Sequence, residues 1–190
     1  METRKAHPRR AEEGFYQRYC RGQGIDIGVG RIDACDGADP LPVPGIDTWD
    51  KDNGDATYMY GVPDERYDFV YTSHLLEHVP NALLALKNWW RILKPGGNLV
   101  LYVPHRDLYE KRTELPSVWN PDHKFFILPL HDELPFTLGL LPLVRSALPP
   151  SAELLLLRVC DEGHTLHDPS VHSDGEYSIE MVVRKALASL

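Results

Sequence analysis

The sequence predicts a doubly wound α/β fold, a mostly parallel sheet with helices on both faces. Three observations carry that prediction. Short apolar segments end in glycine or polar turns, a strongly patterned helix lies between two of them, and two closing apolar segments have no helix pattern between them. Strands alternating with helices build a parallel sheet buried on both sides. Two strands without a helical crossover pair antiparallel at one end.

The elements follow in order. Residues 1–10 are polar and carry Arg4, Lys5, Arg9 and Arg10, which predicts a mobile tail ahead of a single domain spanning 11–190. Residues 11–21 suit a short helix with Phe15 and Tyr19 on one face, and Gly22 and Gly24 end it. Residues 24–28 (GIDIG) are a strand entering a glycine turn. Residues 31–42 hold too much Asp, Gly and Pro for a full-length helix. Residues 43–47 suit the next strand, and residues 67–73 (YDFVYTS) a buried one. A helix opens at Pro80 or Asn81 and is closed by Lys94, Pro95, Gly96 and Gly97, with Trp89 and Trp90 on its packed face. Residues 98–103 form a strand stopped by Pro104. The proline-rich stretch 105–150 reads as a lid and acceptor-site insertion, and 153–160 and 177–184 are the closing strands.

A length of 190 residues suits one domain with one core. The net charge of −8 argues against broad nucleic-acid binding, which needs Lys and Arg to neutralise phosphates. No apolar run is long enough to span a bilayer, and none follows the basic N-terminus as a signal peptide would require. The three cysteines, Cys20, Cys35 and Cys160, are too few and too far apart for a disulfide framework or a CxxC metal site, so a cytoplasmic location is expected.

Five clusters carry chemistry. Asp26, Gly28 and Gly30 end the first strand, where missing side chains let a ligand approach the backbone. The acid there repels phosphate and suits a ligand with an ammonium group. Asp47 follows at about the spacing at which acids on the second strand bind ribose hydroxyls, with Asp50 a close competitor. Asp55, between Gly54 and Ala56, is placed to accept from an adenine amino group, or simply to shape a turn. Residues 67–79 (YDFVYTSHLLEHV) deliver Ser73, His74 and Glu77 at a strand's carboxyl end, where open α/β sheets bind ligands. Glu77 and His78 also suit bracing of the glycine loop. Residues 93–104 (LKPGGNLVLYVP) deliver His105 to the same edge. His123 lies in a loop of the lid. His164, His167, Asp168 and His172 sit between the closing strands as an exposed loop, and no metal site is expected there.

In this order, the five clusters resemble the class I S-adenosylmethionine-dependent methyltransferases, especially the type 11 branch. The resemblance covers about residues 24–104. It implies a Rossmann-like, seven-stranded sheet in the order 3-2-1-4-5-7-6 with strand seven antiparallel, and S-adenosyl-L-methionine as cofactor. It assigns Asp26, Gly28 and Gly30 to the methionine end, Asp47 to the ribose, Asp55 and Ala56 to the adenine, and Ser73 and His74 to the methyl region. His74, His105 and His123 are the candidate catalytic bases. Ile32 stands where the family usually has another glycine. The expected acceptor is a small molecule, including saccharide types. The alternatives are a binding or structural protein on this fold, and a methylase of protein or nucleic acid. The last is disfavoured by charge and by Ser73-His74-Leu75-Leu76 where base methylases carry Asn/Asp-Pro-Pro-aromatic.

Overall fold

A computed structural model gives the fold and describes residues 2–30 and 38–187. Six strands form the main sheet: β1 (Gly24–Ile27), β2 (Asp47–Trp49), β3 (Tyr67–Ser73), β4 (Leu93–Pro104), β7 (Glu153–Cys160) and β8 (Ser178–Arg184). Their order is β2-β1-β3-β4-β8-β7. The first four run parallel, and β8 is antiparallel to both β4 and β7. In the family's strand numbers this reads 2-1-4-5-7-6. The expected strand 3 is not seen: among the described residues, no strand lies beyond β2, and residues 50–66 run as turns.

Side chains alternate across the buried strands. Val70 joins Ile25, Leu99 and Met181 on one face, packed against α3 (Ala82–Arg91) and α5 (Leu140–Ala147). Phe69 and Tyr71 join Val100 and Val182 on the other, packed against Phe15, Tyr16 and Tyr19 of α2 (Phe15–Tyr19). Helix α3 buries Ala82, Ala85, Leu86, Trp89 and Trp90, the stripe that its 3.6-residue period requires. Asn81 caps it by accepting from the Leu84 N–H at 3.1 Å.

Several boundaries differ from the sequence pattern for identifiable reasons. The second strand is Asp47–Trp49 rather than 43–47, because Pro44 has no N–H to give a ladder. Residues 94–97 do not end α3 but bulge inside β4: pairing slips from Tyr67–Leu93 to Phe69–Asn98. At Gly97 a Cβ would stand 2.7 Å from the Asp68 carbonyl, so only glycine allows that approach. Residues 38–42 are not helical, while 31–37, where the expectation of a missing helix also falls, lie outside the described residues.

The predicted tail, residues 1–10, is the largest correction. Residues Glu2–Glu12 form α1, with Thr3, Ala6 and Arg10 buried. The Arg10 side chain donates to Glu180 at 2.6 Å and to the Tyr71 hydroxyl at 2.8 Å. Arg9 donates to Glu176 at 2.7 Å and to Glu180 at 3.1 Å. Partners so distant in sequence leave no local pattern, so polar composition alone misled.

The segment 105–150 divides. It holds α4 (Arg106–Tyr109), β5 (Phe126–Leu128) paired in parallel with β6 (Thr137–Gly139), and α5. Phe125, Ile127, Leu140, Leu143 and Val144 enter the main core.

Replacing Glu180 with Gln strands the buried Arg10 guanidinium. We expect urea unfolding to show a loss of about 3–5 kcal/mol. A loss below about 1 kcal/mol would mean that α1 is not anchored by this pair.

Candidate functional site

The carboxyl ends of β1, β2 and β3 converge on the Gly28 turn. Gly28 has φ +86° and donates its N–H to the Trp49 carbonyl at 2.8 Å. A Cβ there would meet the Leu75 side chain at 3.0 Å. The Gly30 N–H donates to Asp50 Oδ2 at 2.8 Å. The chain therefore turns tightly with bare backbone facing outward.

Two cavities meet at Gly28, Gly30, His78 and Asn120. The first, about 800 Å³, is lined by Trp49, Asp50, Asp55, Ala56, Leu75 and Val79 among others. It combines apolar walls with three acids, Asp50, Asp55 and Asp122, a form suited to a nucleoside. The second, about 730 Å³, is polar. Its walls include Asp26, Ser73, His74, Glu77, Tyr109, His123 and Tyr177, with Glu2, Thr3 and Lys5 from α1.

Asp26 is 1% exposed and accepts from the Leu41 N–H at 2.7 Å. Burial pushes its carboxyl up to about 7; the Leu41 bond opposes this, the nearby Asp39 adds to it, and Arg10 opposes it. A cationic group arriving beside Asp26 therefore favours release of a proton.

His74 has φ +49°, a left-handed conformation unusual for a residue with a side chain. Its N–H donates to the Tyr102 carbonyl at 2.7 Å, and its Nε2 lies 2.8 Å from Ser178 Oγ. Tyr102, Tyr109 and Tyr177 surround the ring. Burial, then the neighbouring His123 and His78, hold its pKa well below the usual imidazole range. The ring is thus a neutral group at a fixed angle in the polar cavity.

The turn Leu76–His78 buries Glu77 completely, and neither carboxylate oxygen is hydrogen-bonded by another described residue. Burial pushes this carboxyl up to about 7. His78 Nδ1 lies 3.0 Å from Asp122 Oδ2, and His123 Nδ1 lies 2.6 Å from Glu110 Oε1.

Two expected positions move. Asp47 sits at the start of β2, opposite Ile25, where it accepts from the Tyr67 hydroxyl at 2.8 Å and from Arg66 at 3.2 Å. It lines neither cavity, whereas Asp50, just past the strand's carboxyl end, lines the first. His105 caps α4, accepting from the Asp107 N–H at 3.1 Å, and also lines neither cavity. Residues missed in the sequence are Trp49, Tyr177 and those of α1. Only Trp49 carried a usable signal, as an aromatic next to the second strand's acid. His164 and His167 meet edge to face with ring centres 5.0 Å apart and line neither cavity.

The methyltransferase domain family matches residues 12–133. The chain belongs to that family. As a class I methyltransferase by fold, it falls in a class whose cofactor is S-adenosylmethionine. A search of curated proteins finds no match. Among solved structures, an S-adenosylmethionine-dependent methyltransferase of Thermotoga maritima is 21% identical with a TM-score of 0.53, covering 96% of this chain and 98% of that one. One of Archaeoglobus fulgidus is 17% identical with a TM-score of 0.54, covering 94% of each. One of Methanosarcina mazei is 15% identical with a TM-score of 0.54, covering 91% and 97%. At these identities the likeness speaks for the fold.

The site fits the cofactor of the class on its own evidence, since the Gly28 turn lines both cavities and Asp26 is a buried acid in the wall of the second. Gly28→Ala should destabilise the methyltransferase by about 1–2 kcal/mol in urea unfolding, from the left-handed φ alone. An unchanged midpoint would mean that the turn relaxes freely.

Proposed function

We propose that this methyltransferase transfers the methyl of S-adenosylmethionine to a polar small-molecule acceptor, including saccharide types, held in the second cavity. The observation that carries this reading is the cavity itself. It leads off from the glycine turn, is closed by α1, and presents acids, a lysine, imidazoles and the tyrosines Tyr109 and Tyr177. Its size lies in the usual range for small-ligand sites, about 300–1,000 Å³. Hydroxyl-rich molecules match that mixture of hydrogen-bonding groups and ring faces.

In this reading Asp26, Gly28 and Gly30 hold the methionine end, with Asp26 facing its ammonium. Asp50 replaces Asp47 as partner of the ribose hydroxyls, and Asp55 and Ala56 border the adenine. Ser73 and His74 flank the methyl region. When bound, the cofactor supplies a methyl on a sulfonium, a leaving group that needs no acid. The protein's task is then to align the acceptor and to take its proton. His74, held neutral and angled into the cavity, is the candidate to accept that proton, and His123, whose Nδ1 is held by Glu110, is left out of the role. His105, occupied as a helix cap, is withdrawn from the role.

The acceptor reading is tested by following S-adenosylhomocysteine release with a panel of polar small molecules. With an active acceptor, His74→Ala should lower kcat about 10²–10⁴-fold, and His105→Ala should leave it within about threefold. Equal effects, or turnover only with a protein or nucleic acid, would overturn the reading.

Asp26 predicts a pH dependence. Its pKa in the free protein is about 7, set by burial with Asp39 and Arg10 nearby. The cofactor's ammonium favours the carboxylate, so binding expels a proton and affinity rises with pH until Asp26 is ionised. Calorimetry with S-adenosylhomocysteine should show up to about tenfold weaker binding per unit below pH 7, and Asp26→Asn should flatten the profile. A flat wild-type profile from about pH 5.5 to 7.5 would contradict the assignment.

A further inference from the structure

Glu77, His78 and His123 form a group that the methyl-transfer reading leaves unexplained. Their ligand-type atoms lie within 4.8 Å of one another. The carboxylate is fully buried, and no other described residue donates a hydrogen bond to either oxygen. His78 Nε2 stands 3.8 Å and His123 Nε2 3.9 Å from Glu77 Oε1. His74 Nδ1 stands 3.8 Å from the same oxygen. These separations exceed hydrogen-bond length. A buried carboxylate facing imidazole nitrogens across such gaps lacks the partner that would offset its desolvation.

The outer nitrogens of all three imidazoles are occupied. Asp122 holds His78 Nδ1, Glu110 holds His123 Nδ1, and Ser178 holds His74 Nε2. Carboxylates behind two of the rings fix the tautomer that points a lone pair at Glu77, the usual outer-shell arrangement of a metal-binding imidazole. Asn120 Nδ2 approaches His78 Nε2 only to 3.5 Å and does not claim that lone pair firmly.

We propose that Glu77, His78 and His123 bind a divalent transition-metal ion of the zinc class, with the fourth position open to solvent or the acceptor. Imidazole nitrogens with one carboxylate suit zinc and its first-row neighbours rather than magnesium or calcium. Bonds of about 2.0–2.1 Å place tetrahedral ligand atoms roughly 3.3 Å apart, so the ligands draw inward by about half an ångström at the Glu77 contacts. The ion sits in the wall of the polar cavity, facing the proposed acceptor. The group does not include His164 or His167.

The test needs neither cofactor nor acceptor, so its failure is distinct from failure of the methyl-transfer reading. The full chain is stripped with a chelator and titrated with Zn²⁺ against a chromophoric competitor, and separately with Co²⁺ by visible absorption. One ion per chain is expected, with the intense bands of a tetrahedral cobalt site. Glu77→Gln and His123→Ala should each weaken binding by about 100-fold or more. Asp122→Asn alters an exposed carboxylate and leaves the fold intact; it should weaken binding about 10–100-fold. His164→Ala should change nothing. No binding at 100 μM Zn²⁺ (a concentration roughly a thousandfold above a 10⁻⁷ M site), or affinity unchanged in Asp122→Asn and Glu77→Gln, would overturn the proposal.

Discussion

The buried carboxylate of Glu180 constrains much of this molecule. It lies in β8, between β4 and β7, with its side chain wholly out of solvent. Burial alone would raise its pKa, yet Arg10, Arg9 and Arg158 together hold it below the usual carboxylate range. Two of those arginines belong to α1. Without that helix in place the carboxylate would lose most of its compensation, which costs several kcal/mol in a core. The last strand of the sheet and the first helix of the chain are thus stable only together.

That pairing has a consequence at the ligand edge. Docking α1 by its last turn swings its first turn over the polar cavity, bringing Glu2, Thr3 and Lys5 to the wall. The Tyr177 hydroxyl, just before β8, donates to Glu2 at 2.6 Å, and Lys5 Nζ lies 4.0 Å over the Tyr177 ring. The polar cavity therefore draws part of its wall from both α1 and the segment just before β8. No described helix is long and apolar enough to cross a membrane.

What was legible in the sequence follows the range of the forces involved. The parallel core, α3 with its cap, and the Gly28 turn are specified by neighbours in the chain: periodic apolar residues, a capping Asn81 and closely spaced glycines. Asp26, Gly28, Gly30, Asp55, Ala56, Ser73, His74 and His123 lie in the lining of the two cavities. The failures involve distant partners. Helix α1 depends on Glu176 and Glu180, more than 160 residues away (for example, |i−j| = 167 and 170). Asp47 and Asp50 are both acids near one strand, and only the register Ile27–Trp49 shows which one reaches the carboxyl edge. His105 looked like a ligand-facing histidine until the N–H of Asp107 claimed its Nδ1. His78 and His123 became a pair only through a fold contact that no spacing announces.

The position of the cofactor along this edge decides which residues form the methyl-transfer site. A crystal structure with S-adenosylhomocysteine tests it most directly. The ribose hydroxyls should meet Asp50, the adenine should lie by Asp55 and Ala56, and the ammonium should approach Asp26 over the Gly28 turn. A ribose bound at Asp47, or a ligand seated away from the glycine turn, would contradict the account.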